Sequence, residues 1–99
     1  MAIKRIVWSN GAIADLYKIL EYFISRNGNA NYSIKIKNRI NHTITLLKTN
    51  NYLGRVTNNL SIRYFVELDY LIFYEINNEK ITILMVWDTR NNPDKLKYK

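Results

Sequence analysis

Arginine is the side chain in this sequence best suited to carrying a chemical role. A guanidinium grips phosphate or carboxylate with a planar fork of donors and keeps its charge at any physiological pH. Arg55 follows Gly54 where the chain changes to strand-like alternation, Arg63 lies within an alternating segment, and Arg90 follows the last one. Brought to one end or face of a sheet, these residues would form a site for a phosphate or an acidic peptide. The competing reading leaves each of them solvated or paired locally, Arg63 with Glu67 and Arg90 with Asp88.

Other candidates have plainer readings. His42 has the right range of pKa for a general acid or base, but no carboxylate stands at helical spacing from it, so it reads as a surface histidine. Asp15 and Glu21 read as solvated helix charges. Tyr64, Tyr70 and Tyr74 fall on alternating positions and could stack on bases. That face is also the apolar one, so core packing is the better account. Tyr98 lies among Lys95, Lys97 and Lys99 in a basic tail that could touch nucleic-acid phosphates, or simply fray.

Composition narrows the classes. The chain has 99 residues, is 47% hydrophobic and 13% aromatic, and contains only three Gly and one Pro. This describes one folded domain over residues 1–99 rather than a disordered or collagen-like chain. Fifteen Lys and Arg against eight Asp and Glu give a formal charge of +7, which favours a polyanionic partner. Cysteine is absent and there is one histidine, so disulfides, thiolate metal sites, cysteine nucleophiles and histidine metal clusters are excluded. No phosphate-binding glycine loop, HExxH, CxxC or GxSxG is present. No metal or cofactor is expected. No apolar run approaches a membrane span and the first residues lack a signal-like stretch, so a cytoplasmic location is expected.

The elements that must position these residues can be read from periodicity. Ile3 to Trp8 reads as a strand, with Ser9 or Asn10 as the cap of a helix. Ile13, Leu16, Tyr17, Leu20, Phe23 and Ile24 trace one face of that helix, which should end at Gly28. Tyr32, Ile36, Ile40, Thr43 and Leu47, with Ile44 beside them, mark a second helix, whose other face carries Lys35, Arg39 and His42. From Gly54 the period is two. Ile62, Tyr64, Val66 and Leu68 alternate with Arg63, Phe65 and Glu67, and Tyr70, Ile72, Tyr74 and Ile76 continue the pattern. Asn77-Asn78 would make a two-residue turn. It sets Ile76 opposite Glu79, Glu75 opposite Lys80 and Tyr74 opposite Ile81, with Ile81, Ile83, Met85 and Trp87 on one face. Asn92-Pro93 opens a short last helical turn. The order β-α-α-β-β-β predicts an α+β domain, a helical hairpin packed on a small, mainly antiparallel sheet.

Several stretches together resemble a known family. They are Trp8-Ser9 with Ala12, Asp15-Leu16, Ile19 and Tyr22; Gly54-Arg55 and the Arg63 segment; Tyr70 to Ile76; Ile81 to Val86; and Trp87-Asp88-Thr89-Arg90-Asn91-Asn92-Pro93. They are similar to the RelE/ParE toxins of bacterial type II toxin–antitoxin modules, over almost the whole chain. The resemblance implies a small basic toxin held inactive by a cognate acidic antitoxin that folds on binding. Operator DNA would be contacted only through that antitoxin.

The family divides by target. RelE-like members cut mRNA in the ribosomal A site and need several cations with a late tyrosine or histidine. ParE-like members poison DNA gyrase and have no nuclease centre. Here Arg90 matches the family's arginine after the last strand, and Arg63 lies roughly where a catalytic lysine would. Leu71 replaces the arginine expected after the tyrosine of the third strand, and Leu96 stands approximately where the late tyrosine is expected. Tyr98 is displaced from that place, and no histidine follows His42. The resemblance therefore implies the gyrase-directed branch, with Arg55, Arg63, Arg90, Lys95 and Lys97 as contacts to target or antitoxin. The alternative is a ribosome-dependent mRNA endonuclease using Arg55, Arg63, Arg90 and Tyr98.

Overall fold

Ser9 ends the first strand and starts the first helix, its hydroxyl accepting the Ala12 N–H at 3.1 Å. That helix stops at Gly28, which takes the left-handed conformation (φ 74°) that a residue with a Cβ adopts only at a cost. The computed structural model describes residues 3–98, so Met1, Ala2 and the Lys99 end of the basic tail lie outside the described residues. In chain order the elements are β1 (Arg5–Trp8), α1 (Asn10–Asn27), α2 (Asn31–Leu47), β2 (Arg55–Val56), β3 (Ile62–Glu67), β4 (Tyr70–Ile76), β5 (Lys80–Asp88) and a 3-10 turn at Pro93–Lys95. The α+β architecture is as expected, with a short additional strand, β2, at the sheet edge. No described helix is long and apolar enough to cross a membrane.

The sheet order is β1-β5-β4-β3-β2. Every pairing is antiparallel except β1 with β5. The helical hairpin covers one face, which we call the inner face. Its core joins Ala12, Leu16, Leu20 and Phe23 of α1 to Ile36, Ile40, Ile44 and Leu47 of α2, over Phe65, Tyr70, Ile72, Tyr74, Ile81, Ile83 and Val86. Ser33 is buried between the helices and donates to the Leu20 carbonyl at 2.7 Å. The buried stripe of α1 is rotated from the expected one: Ala12, Leu16, Leu20 and Phe23 are buried, while Ile13, Tyr17 and Ile24 are exposed.

Three features of the sheet differ from expectation. First, the β4–β5 turn is longer. Ile76 faces Ile81, Glu75 faces Thr82 and Tyr74 faces Ile83, so Glu75 and Lys80 are not paired. The Asn77 N–H donates to the Lys80 carbonyl, while Asn77 Oδ1 accepts from the N–H groups of Glu79 and Lys80. Lys4 Nζ secures the turn by donating to the Asn77 and Asn78 carbonyls at 2.7 and 2.9 Å. Second, the register shifts between Phe73 and Tyr74, where Phe73 faces Met85 but Tyr74 faces Ile83. Leu84 is the extra residue of this bulge, and it inverts the rest of β5. Val86 is therefore buried in the core, while Met85 and Trp87 leave the face of Ile81 and Ile83.

Third, β3 is turned over. Phe65 pairs with Ile72 and Arg63 with Tyr74, placing Arg63, Phe65 and Glu67 toward the helices. Tyr64 opposes Phe73 on the outer face, so it does not share a face with Tyr70 and Tyr74. Two circumstances make this arrangement favourable. Glu67 finds donors on α2, Arg39 Nε at 2.8 Å and the Thr43 hydroxyl at 3.1 Å. Ile62 and Phe73 find cover on the outer face, with exposures of only 4% and 1%.

Candidate functional site

On the inner face, Arg63 extends to the loop ahead of β2. Its Nη1 donates to the Gly54 carbonyl at 2.9 Å, and its guanidinium carbon lies 5.0 Å from the centre of the Tyr52 ring. Its Nε is buried without a partner. Tyr74 holds the same loop from below: its hydroxyl accepts the Gly54 N–H at 2.8 Å and donates to the Asn51 carbonyl at 3.1 Å. Burial raises the Tyr74 phenol above its usual pKa, opposed by the Gly54 hydrogen bond and by Arg63. The anticipated Arg63–Glu67 pair is absent, and Arg63 acts as a clamp on the loop.

On the outer face, Arg55 is exposed opposite Tyr64. Tyr64 packs on Phe73 with ring centres 5.3 Å apart, and Tyr98 packs on Phe73 at 5.6 Å. The end of the chain is thus folded back over the sheet rather than frayed. Lys97 and Tyr98 border a small hollow with Thr57, Asn58 and Asn59.

Arg90 sits at the opposite end of the sheet. It chelates Asp88, Nε to Oδ1 at 2.9 Å and Nη2 to Oδ2 at 2.7 Å, and its own N–H also donates to Oδ1. This is the local pair weighed as the alternative for Arg90. The arginine holds the Asp88 carboxyl below its ordinary pKa, and Asp88 holds the guanidinium above its own. Asp88 and Arg90 flank a groove of about 500 Å³ between α1 and β5, lined also by Lys18, Ile19, Tyr22 and Trp87. β1 reaches only as far as the position opposite Ile83, so β5 beyond it has no strand on that side. The Ser9 hydroxyl donates to the Leu84 carbonyl at 3.2 Å, and an Asp15 oxygen accepts the Val86 N–H at 3.1 Å. Asp15 is therefore a partner of the sheet edge and not the solvated helix charge that its sequence position suggested. No local signal marks it, because its partner lies 71 residues away.

The candidate arginines thus stand in separate places: Arg63 inward near Tyr74, Arg55 outward across from Tyr64, and Arg90 beyond Asp88, which is opposite Tyr70. His42 is exposed on α2. Among the described residues no cluster of three or more His, Cys, Asp or Glu could hold a metal ion.

A sequence profile described as the ParE toxin of type II toxin–antitoxin system, parDE, matches residues 6–93. The chain belongs to the ParE toxin family. Among solved structures it is similar to one titled as the chromosomal ParDE toxin–antitoxin system of P. aeruginosa, with a TM-score of 0.74 at 20% identity. That match covers 89% of this chain and 98% of the other, and at such identity it speaks for the fold. Nothing matches among the sequences of curated proteins. The ParE-family match takes in Arg55, Arg63 and Arg90 and stops before Lys95, Lys97 and Tyr98. The outer-face end of this ParE-family chain therefore has to be understood from its own packing.

Proposed function

We propose that this ParE-family toxin arrests growth by poisoning DNA gyrase and that a cognate acidic antitoxin neutralises it in the cytoplasm. The observation that carries this reading is the dispersal of the arginines. Cutting RNA needs a base at the ribose 2′-OH and cations around one phosphate, all within hydrogen-bond reach of the same atoms. Here Arg63 is occupied with Gly54 and Tyr52, Arg90 with Asp88, and Tyr98 with Phe73. A protein-directed poison requires no such convergence.

The antitoxin is assigned to the groove between α1 and β5. Its lining combines apolar and aromatic side chains with Lys18 and Arg90, and the adjoining half of β5 lacks a neighbouring strand. Asp15 and Asp88 offset those two cations within the lining. The acidic character of a segment that orders there therefore answers the chain's net charge of +7, since opposite charge speeds encounter and excludes wrong partners. Arg55, Lys95 and Lys97, away from that groove, remain for the target.

The test is to incubate the purified chain with gyrase and plasmid DNA, then trap cleaved complexes with denaturant. Accumulation of protein-linked breaks, suppressed by the antitoxin, is the expected result. Intact DNA together with translated messages cut in phase with codons would replace this reading with the nuclease one.

A further inference from the structure

The outer face of the sheet carries charge that the rest of the fold does not neutralise. Register places Arg5, Arg55 and Lys80 on that face, since Arg5 pairs with Lys80, and Arg55 opposes Tyr64. Among the described strand residues, Glu75 is the one carboxylate there. Both ion pairs among the described residues, Arg39–Glu67 and Arg90–Asp88, lie elsewhere. The tail adds Lys97, whose position on this face is fixed because the adjoining Tyr98 ring is packed on Phe73.

Phe73 is 1% exposed although it points away from the helices. The tail is therefore seated on an aromatic anchor, and Lys97 itself is exposed. The cations extend from β1 to β2, four strand intervals, or about 19 Å at about 4.8 Å each. That breadth exceeds one nucleic-acid strand and is enough to reach phosphates on both sides of a groove about 12 Å wide.

We infer that the outer sheet face, with Arg5, Arg55, Lys80 and Lys97, is a docking surface for the phosphate backbone of duplex DNA. The inference rests on the gyrase reading in one respect: the duplex would be the segment that gyrase holds while it is poisoned. DNA binding by the isolated chain is nevertheless a separate observable. Contacts of this kind follow the backbone without reading bases, and they weaken steeply with salt.

The experiment is fluorescence anisotropy of the full chain on a labelled duplex over a series of salt concentrations. Arg55→Gln/Lys97→Gln is compared with Lys35→Gln/Lys37→Gln, which removes the same charge from the exposed side of α2. The outer-face double variant is expected to bind about tenfold more weakly near 0.1 M salt. It should also flatten the plot of log affinity against log salt by about 2. The α2 variant should change both much less, and far-UV circular dichroism should be unaltered in each.

Equal losses in the two variants would overturn the inference in favour of net charge alone. Tighter binding to single-stranded RNA of the same length than to the duplex would overturn the choice of partner. Gyrase cleavage assays run in parallel separate the two proposals. Poisoning with equal losses removes the DNA face and keeps gyrase, whereas a selective loss without poisoning by the unmodified chain does the reverse.

Discussion

The hydroxyl of Tyr74 lies 2.8 Å from the backbone nitrogen of Gly54, in a space where a Cβ on residue 54 would stand 2.7 Å from that oxygen and 2.6 Å from the Tyr64 carbonyl. Glycine is required there for close approach, because its absent side chain lets the loop rest on β3 and β4. Gly54→Ala should destabilise the protein by about 2–3 kcal/mol, through overpacking and disturbed hydrogen bonds. Urea denaturation monitored by circular dichroism measures it, and a loss under 0.5 kcal/mol would show that the loop simply shifts.

Tyr74→Phe keeps the ring and removes the hydroxyl, leaving the Gly54 N–H and the Asn51 carbonyl without their partner. A loss of about 1–3 kcal/mol is expected. The pH dependence supplies a second readout. Burial raises the phenol pKa of Tyr74, and also that of Tyr70, above the ordinary tyrosine value near 10. A phenol raised in the folded state contributes stability that is complete below its unfolded pKa. That stability is lost as pH rises through about 10 toward the folded value. Unfolding midpoints should therefore fall above pH 10, less steeply in Tyr74→Phe than in the parent.

At acid pH the sign reverses for Asp88. Its carboxyl is held low chiefly by the hydrogen bonds from the Arg90 side chain. Its contribution is present above about pH 4 and is lost as pH falls through the folded value. The effect is small, because Arg90 is largely solvated and the pair is screened. Following the Asp88 carboxyl carbon by NMR should give a midpoint below the usual aspartate range, returning toward it in Arg90→Gln.

The outer aromatic cluster predicts different responses for its two ends. Phe73→Ala should cost about 3–5 kcal/mol, since the ring is as buried as any in the main core. Tyr98→Phe should be nearly neutral, while Tyr98→Ala should release the tail and make Lys97 readily cleaved in limited tryptic digestion. Equal tryptic sensitivity of all three chains would contradict the seating of Tyr98 on Phe73.

Glu75 and Lys80 test the register directly. With Glu75 opposite Thr82, a double-mutant cycle on Glu75→Gln and Lys80→Gln should give a coupling below about 0.3 kcal/mol. The shorter turn expected from Asn77-Asn78 would place the two charges face to face and give more.

That turn shows how far the sequence could be read. Period-two alternation and paired asparagines identify the hairpin, but sliding its register by two residues leaves every side chain on the same face. Only the Asn77 hydrogen bonds and Lys4, from the other end of the chain, decide between the two registers. The bulge at Leu84 is equally silent, because Met85 and Trp87 are as apolar as Val86, and either set would pass for a core face.

β3 is the more instructive case. Its alternation is plain, yet the set that looks apolar faces away from the helices. Arg63 and Glu67 are tolerated inward because the Gly54 carbonyl accepts from Arg63, while Arg39 and Thr43 donate to Glu67. Tyr64 is tolerated outward because Phe73 is beside it. None of these partners is local, so the assignment of faces follows from tertiary structure. The same inversion carries Arg63 away from Arg55, which is why the candidate cations do not gather where their spacing suggested.

The parallel pairing of β1 with β5 has a consequence for synthesis of the toxin. The strand made first waits for the strand made last, and the Ser9–Leu84 hydrogen bond spans 75 residues. β5 is also the strand between β1 and β4. A nascent chain that has not yet released β5 from the ribosome can pair β2, β3 and β4 but cannot join β1 to them, so the sheet stays incomplete until β5 has emerged. Contacts of such long sequence separation fold slowly. An interval therefore separates translation of the message from the appearance of a competent toxin, and a neutralising partner made at the same time has that interval in which to arrive.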